Sequence, residues 1–396
     1  MRVAFGLIGG SQWTGGLNYL VNLLSAIQKL PGQPVKAILF TGTDTDKSAL
    51  QMLEPYLAEP PRLSTIWDRK SPSYKMRIAQ SLFLQKDILA EREFKDADID
   101  LVFQHSAWYG LRFSVPTLAW IADFQHKYLP DLFSTANYWK REIGYKALAH
   151  SATKIMLSSE TARHDCEKFY PGTSGKTEVL RFAIRLDTKY LEAAPDEIRK
   201  KHNLPEKFIY LPNQFWKHKN HLNIVYALKY LKDKGHNIVV AASGNLKDNR
   251  HPDYPDEVIA QVKKLGLEEN FIYIGMIPRP DIIPLMRASI AVINPSLFEG
   301  WSTTVEEAKA VGVPLLLSDI NVHKEQAPEV CLFFDPDNPE SIGNQILTAW
   351  EHWKPYVDSE LEQRAVYNCE LNRTKFAEEF VTICKRVVIA GNLNKL

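Results

Sequence analysis

Between Ile290 and Asp319 the chain passes through an apolar run (Ile290–Ile293), a turn broken by Gly300, a helix-competent stretch and a second apolar run (Val313–Leu317). Short, continuously apolar runs bounded by turn residues read as buried strands, so the order is strand, turn, helix, strand. The helix carries its own punctuation. Thr303 followed three residues later by Glu306 is a capping-box pattern, in which the hydroxyl accepts from one free amide and the carboxylate reaches back to another. Gly312 stands where a left-handed residue ends a helix, and Pro314 forbids continuation. A helix from near Thr303 to near Val311 is the expectation.

Its first turn exposes free amides and the positive end of the helix dipole just after a glycine that lets a ligand approach the backbone. That is a place for an anion, phosphate above all, with Gly300, Trp301, Ser302 and Thr303 around it. Two carboxylates flank it: Glu299 in the turn and Glu307 about one helical turn inside. A carboxylate can accept two hydrogen bonds, which suits vicinal sugar hydroxyls. The pattern predicts a sugar-nucleotide site, with sugar hydroxyls on Glu299, diphosphate on the helix start and ribose on Glu307. The competing reading makes Glu306 and Glu307 dipole-favoured caps on a solvated face.

The same rhythm runs through the rest of the chain. In the second half the expected strands are Phe208–Leu211, Asn237–Ala242, Phe271–Gly275 and Ile290–Ile293, separated by helices Asn220–Lys234, Glu257–Leu265 and Asp281–Ala288. Alternation of this kind implies a parallel sheet with helices on both faces. In the first half, Val3–Ile8 leads into a glycine-rich turn, Gly9 to Gly16, and a helix from Leu17 to Leu30. Open α/β sheets bind ligands at such strand ends, although G-x-G-x-x-G is absent. Strands Asp100–Gln104 and Thr117–Ile121 end in the polar clusters Gln104-His105-Ser106 and Asp123-Phe124-Gln125-His126. Lys217 and Lys219 open a helix after Leu211 and are placed to neutralise a diphosphate.

At these residues the chain resembles a family. Phe298-Glu299-Gly300-Trp301-Ser302-Thr303-Thr304-Val305-Glu306-Glu307-Ala308 looks like the Glu-x7-Glu motif of retaining GT-B glycosyltransferases of family 4, the group 1 glycosyl transferases. The resemblance implies an α/β, GT-B fold: two Rossmann-like domains with parallel sheets facing a central cleft. It implies an acceptor-binding domain over 1–187, a nucleotide-sugar-binding domain over 204–373 and a helix over 374–396 crossing back to the first domain. Gly15 and Gly16 match the loop that closes over donor phosphates and acceptor. Lys219 stands in the lysine position of the Arg-x4-Lys phosphate element, with Gln214 where arginine is usual and Lys217 available to supply charge. The backbone of Met276 and Ile277 matches the nucleobase-reading loop. The family histidine that reaches the donor sugar falls on Ala122 here, leaving His126 or His105 to replace it.

With 396 residues, two domains are expected. A formal net charge of +1 argues against general nucleic-acid binding. Four widely spaced cysteines without a C-x-x-C pair suggest neither zinc site nor disulfide framework, and free thiols in a reducing cytosol are the simplest account. No signal-peptide or 18-residue apolar run is evident. The stretch Tyr74–Phe94 reads as one long amphipathic helix with basic residues (Arg69, Lys70, Lys75, Arg77, Lys86) beside apolar ones, a pattern suiting either a core-facing stripe or an anionic membrane surface. Asp187–Pro205 reads as a charged, irregular interdomain connection.

The expected reaction is retaining transfer of a sugar from a nucleotide-diphosphate donor to a hydroxyl of a glycan or lipid-linked acceptor, as in surface polysaccharide or lipopolysaccharide biosynthesis. Glu299, Lys219 and His126 are the catalytic candidates; no cofactor and no metal are expected, since no Asp-x-Asp motif is placed to hold one. No pair of carboxylates at glycosidase spacing is evident, which disfavours a double displacement. Same-face attack, with the departing phosphate helping to remove the acceptor proton, is what the resemblance implies. The protein is expected in the cytoplasm, with possible peripheral contact at the inner face of the membrane. The alternatives are a catalytically silent nucleotide- or glycan-binding module, a nucleotide-sugar epimerase, or a glycan phosphorylase, for whose pyridoxal lysine no motif is found.

Overall fold

The computed structural model describes residues 1–9, 14–105 and 107–393. The chain forms two units: Met1–Phe124, Thr135–Ala183 and the stretch from Leu371 onward make the first, and Gln125–Ser134 with Ile184–Glu370 make the second.

The first unit holds a seven-stranded sheet built from β1 (Arg2–Gly6), β2 (Lys36–Thr41), β3 (Arg62–Leu63), β4 (Leu101–Gln104), β5 (Thr117–Ile121), β6 (Lys154–Leu157) and β7 (Thr177–Val179). Their spatial order is 3-2-1-4-5-6-7, and every pairing is parallel. The second unit repeats the scheme with six strands: β8 (Ile209–Pro212), β9 (Val240–Ser243), β10 (Phe271–Tyr273), β11 (Ala291–Asn294), β12 (Leu315–Ser318) and β13 (Cys331–Phe334), in the order 10-9-8-11-12-13, again all parallel. Both are Rossmann-like sheets, in which the strand order reverses beside the first strand and opens a ligand crevice at the carboxyl ends.

Continuous apolar runs are what such strands need, because both faces are covered. In the second unit Ile209, Leu211 and Leu316 pack into one core with Leu228, Val258 and Ile342. Their strand neighbours Tyr210, Leu315 and Leu317 pack into a core on the other side with Met286, Val305 and Val311. Each fully buried side chain of this size contributes about 1.5–3 kcal/mol, so neither face can be given up.

Four expectations are corrected. Residues Tyr74–Phe94 do not form one helix: helix Pro72–Ala79 passes into a wider π-type turn over Gln80–Leu84, Gln85 turns left-handed at φ 55°, and a new helix Ile88–Asp96 starts with the Asp87 carboxylate accepting from the Ala90 amide. Arg77, expected on the solvated side, is buried against Asp87. Residues 187–205 are not irregular but contain helices Lys189–Glu192 and Pro195–Lys201, the second with proline in its first turn, where its missing N–H costs nothing. The first helix starts at Thr14, so Gly15 and Gly16 lie in its opening turn instead of before it; Gly10, Ser11, Gln12 and Trp13 of the glycine-rich turn, and Ser106, lie outside the described residues.

The terminal helix runs from Ser359 to Leu393. Phe376, Phe380, Cys384 and Val387, spaced four, four and three apart, form one stripe in the first unit's core, where Phe380 lies 6.1 Å from the Phe5 ring. Gly391 is required there: a Cβ would sit 2.3 Å from the Pro116 ring.

Candidate active site

In the second unit the strand order reverses between β8 and β11, and the loops leaving these two strands carry Lys217–Lys219 and Phe298–Thr303. The fold therefore brings together two stretches some 80 residues apart. The Leu297 amide donates to the His218 carbonyl (2.8 Å), which locks one loop to the other. Asn220, left-handed at φ 60°, donates its side-chain amide to the carbonyls of Pro295 (3.2 Å) and Pro336 (2.8 Å).

At the centre the Lys219 ammonium meets the Glu299 carboxylate at 2.5 Å, both side chains nearly buried. The same Glu299 oxygen accepts from the Ser296 hydroxyl at 2.7 Å. Burial pushes the Glu299 carboxyl up, but Lys219, His323 and His218 around it outweigh that and bring it down to about 2. Glu299 is therefore an anion at any physiological pH.

Helix Thr303–Ala310 begins at this point. Its cap is Ser302, one residue before the expected Thr303: the Ser302 hydroxyl accepts from the Val305 amide (3.4 Å) and from the Asn294 side chain (2.8 Å). Glu306 does not reach back. Gln326 does that work, accepting from the Ser302 amide (3.0 Å) and donating to the Ser302 carbonyl and to Glu306. Glu306 is thereby held between Gln326 and Lys309. No contact among the described residues takes up the amides of Thr303 and Thr304, so the helix start keeps two donors for an anion. Asn213, at the end of β8, braces the site by donating to Asn294 and accepting from the Thr304 hydroxyl (both 3.2 Å).

Glu307 is buried and paired with Arg279, a half-exposed side chain on the helix that follows Met276 and Ile277. Its guanidinium is raised above its ordinary range by that carboxylate. Met276 is strongly exposed beside Gly275, itself left-handed at φ 81°. Lys217 is exposed and forms no ion pair among the described residues, while its amide donates to Asp248 (3.0 Å). Gln214 is engaged structurally, accepting from the Asn245 amide at 2.8 Å.

His126 is fully buried in the helix Gln125–Tyr128, in the second unit, with its ring 6.3 Å from Phe133. Gln125 beside it accepts from Arg250 at 2.8 Å, and Arg250 also approaches the His218 ring nitrogen at 3.3 Å. His105 lies in the first unit, 5.2 Å from the Trp120 ring, and burial lowers its affinity for a proton. Gly15 and Gly16 are likewise in the first unit.

Sequence reasoning missed Arg279 as a side chain, and missed Arg250, Asn213, Asn294, Gln326 and His323. Only the asparagines at strand ends left a signal, since polar residues there are site candidates by position. His323 is fully buried on the helix after β12; Nδ1 lies 3.1 Å from the Ser318 carbonyl and 2.9 Å from the Ser318 hydroxyl, which itself donates to Ser296. Both leave Nδ1 the donor, so the neutral ring presents Nε2 as an acceptor. Burial brings this imidazole down to about 4.

Residues 195–368, which contain Lys219, Arg279, Glu299, Thr303, Glu307 and His323, match the family model described as glycosyl transferases group 1. Over these residues, somewhat under half of its length, the chain is similar to that family. Among its relatives, an O-antigen chain mannosyltransferase B of Escherichia coli is 30% identical over 95 residues, 24% of this chain and 25% of that protein. The O-antigen chain mannosyltransferase RfbU of Salmonella typhimurium is 23% identical over 228 residues, 57% of this chain and 58% of that one. The matches thus span a quarter to three-fifths of these relatives' length. The crystal structure of Anabaena Alr3699/HepE in complex with UDP and glucose superposes with a TM-score of 0.66 at 17% identity, covering 100% of both chains. At that identity the likeness speaks for the fold: two Rossmann-like domains of the GT-B type. Within the matched residues, Glu299 and Glu307 stand eight apart, and each holds a cation, Lys219 and Arg279 respectively.

Proposed function

We propose that this protein transfers a sugar, with retention at the anomeric carbon and without a metal ion, from a nucleotide-diphosphate donor to a hydroxyl of a glycan or lipid-linked acceptor in surface polysaccharide biosynthesis. The carrying observation is that Lys219, Glu299 and the two available amides of Thr303 and Thr304 share one strand-end crevice. A diphosphate suits the amides and the Lys219 and Lys217 ammonium groups, which offset the charge that grows on the leaving group. Glu299, kept anionic, then accepts from donor-sugar hydroxyls, and Glu307 from the ribose, with the Met276–Ile277 backbone against the base. The O-antigen mannosyltransferase relatives favour a polysaccharide acceptor and a cytoplasmic enzyme peripheral to the membrane.

The test is a thermal-shift screen of UDP-, GDP-, ADP- and dTDP-sugars, followed by transfer assays with each stabilising donor and NMR of the product's anomeric configuration. A stabilising donor, turnover lost in Glu299→Ala and a retained configuration are expected. Donor binding with neither transfer nor hydrolysis would replace this reading with that of a nucleotide-binding scaffold.

A further inference from the structure

The segment Pro72–Ile88 is built inside out. Its buried side is polar: Arg77 forms a 2.8 Å ion pair with Asp87 and stacks 3.9 Å from the Trp67 ring, and the buried Ser81 hydroxyl donates to the Arg77 carbonyl. Its outward side is apolar. Phe83 is 84% exposed, between Leu82 and Leu84, which are each about half exposed, with Met76 exposed on the same helical run. A helix that only served the core would show the opposite arrangement.

The exposed side chains are not on a loose loop. Gln80 accepts from the amides of Ile88 and Leu89, the Asp87 amide donates to the Tyr109 carbonyl (2.8 Å), and the Arg112 amide donates to the Gln85 carbonyl (2.7 Å). The last two bonds set Leu111, also exposed, and Arg112 beside the end of the π-type turn. Arg69 and Lys70 just before the helix, Lys75 within it and Arg112 beside Gln85 are all exposed, and none forms an ion pair among the described residues. Two of the nearby acids are paired with other cations, Asp87 with Arg77 and Glu91 with Lys86 and Lys95, while Glu93 and Asp68 accept from the neutral Trp67 indole and Thr43 hydroxyl.

We propose that Leu82–Leu84, with Met76 and Leu111, insert into the surface of an anionic lipid bilayer while Arg69, Lys70, Lys75 and Arg112 engage its headgroups. A firmly held apolar projection on a segment that also carries exposed cations outside any ion pair fits such a surface in both of its properties. A second copy of the chain would bring the same four cations against themselves, which disfavours self-association there. No helix among the described residues is long and apolar enough to cross a membrane, so the contact is made in the interface. This deepens the proposed function by assigning the surface through which a lipid-linked acceptor is met, but it stands on separate residues in the first unit.

The experiment is co-sedimentation of the full chain, without donor, on vesicles of phosphatidylcholine mixed with phosphatidylglycerol and on pure phosphatidylcholine. Wild type is expected to bind the mixed vesicles, with salt weakening binding. Phe83→Ser with Leu84→Ser should lower the partition coefficient at least about tenfold, and Lys70→Glu with Lys75→Glu should remove the preference for the anionic lipid. Donor-induced thermal shifts, measured without vesicles, should be those of wild type in both variants, which separates this surface from the sugar-transfer reading. Absence of wild-type binding, unchanged binding in the Phe83/Leu84 variant, or dimerisation that this variant abolishes would each overturn the proposal.

Discussion

Replacing Glu299 with Gln keeps the shape of the side chain and removes its charge, leaving Lys219 almost buried without its counter-ion. The carboxyl lies at about 2 against an ordinary 4.5, a difference worth about 3 kcal/mol. Breaking a buried ion pair from one side costs about 3–5 kcal/mol, so the two routes agree. A double-mutant cycle of Glu299→Gln and Lys219→Met, followed by urea unfolding with tryptophan fluorescence, should return a coupling of about 2–4 kcal/mol at pH 7, with unchanged m-values showing that one transition is being compared. Because the carboxyl's affinity for protons is depressed in the folded protein, its contribution is full above pH 4.5 and lost as pH falls from 4.5 toward 2. The gap between wild type and Glu299→Gln should therefore close over that interval. A coupling below about 0.5 kcal/mol, as in solvent-exposed pairs, or a gap indifferent to pH, would refute the reasoning.

Glu307→Ala should weaken donor binding by about 1.5–3 kcal/mol, the worth of a charged hydrogen bond, and calorimetry showing unchanged affinity would remove the ribose role. His323 is held neutral by burial, from an ordinary 6.5 down to about 4, while the unfolded ring takes up a proton below 6.5. Stability should consequently fall as pH drops from 6.5 to 4, by about 3 kcal/mol from this group, and His323→Asn should take roughly one proton out of the slope; identical urea midpoints across that range would contradict it. Turnover should persist in chelator, and a loss reversed specifically by manganese would show that Lys219, Lys217 and the helix start do not carry the leaving-group charge alone.

Much of the candidate site's local framework was legible because its parts obey local rules. The β11–helix–β12 unit is announced by two apolar runs, Gly300, Gly312 and Pro314, and Glu299 and Glu307 are placed by counting along it. The cap was misassigned by one residue, since Thr303 and Ser302 can both cap and Ser302 is further held by Asn294 and Gln326, 8 and 24 residues away from it. The long helix at Tyr74–Phe94 failed for a related reason: the Arg77–Asp87 pair and the Tyr109–Arg112 backbone, invisible to helical periodicity, hold a left-handed Gln85 in its middle.

What the sequence determined by itself is the class of architecture and the position of Glu299 and Glu307 on one helix start, because strand runs, glycine breaks and helix punctuation act over a few residues. Which charges meet was decided by tertiary structure alone. Lys219 finds Glu299 because the reversal of strand order sets β8 beside β11, and Arg279 finds Glu307 and His323 lies buried near the first pair because the parallel sheet delivers the loops of its strands to one end. Coulombic attraction and desolvation depend on distance in space, and no count along the chain contains that distance.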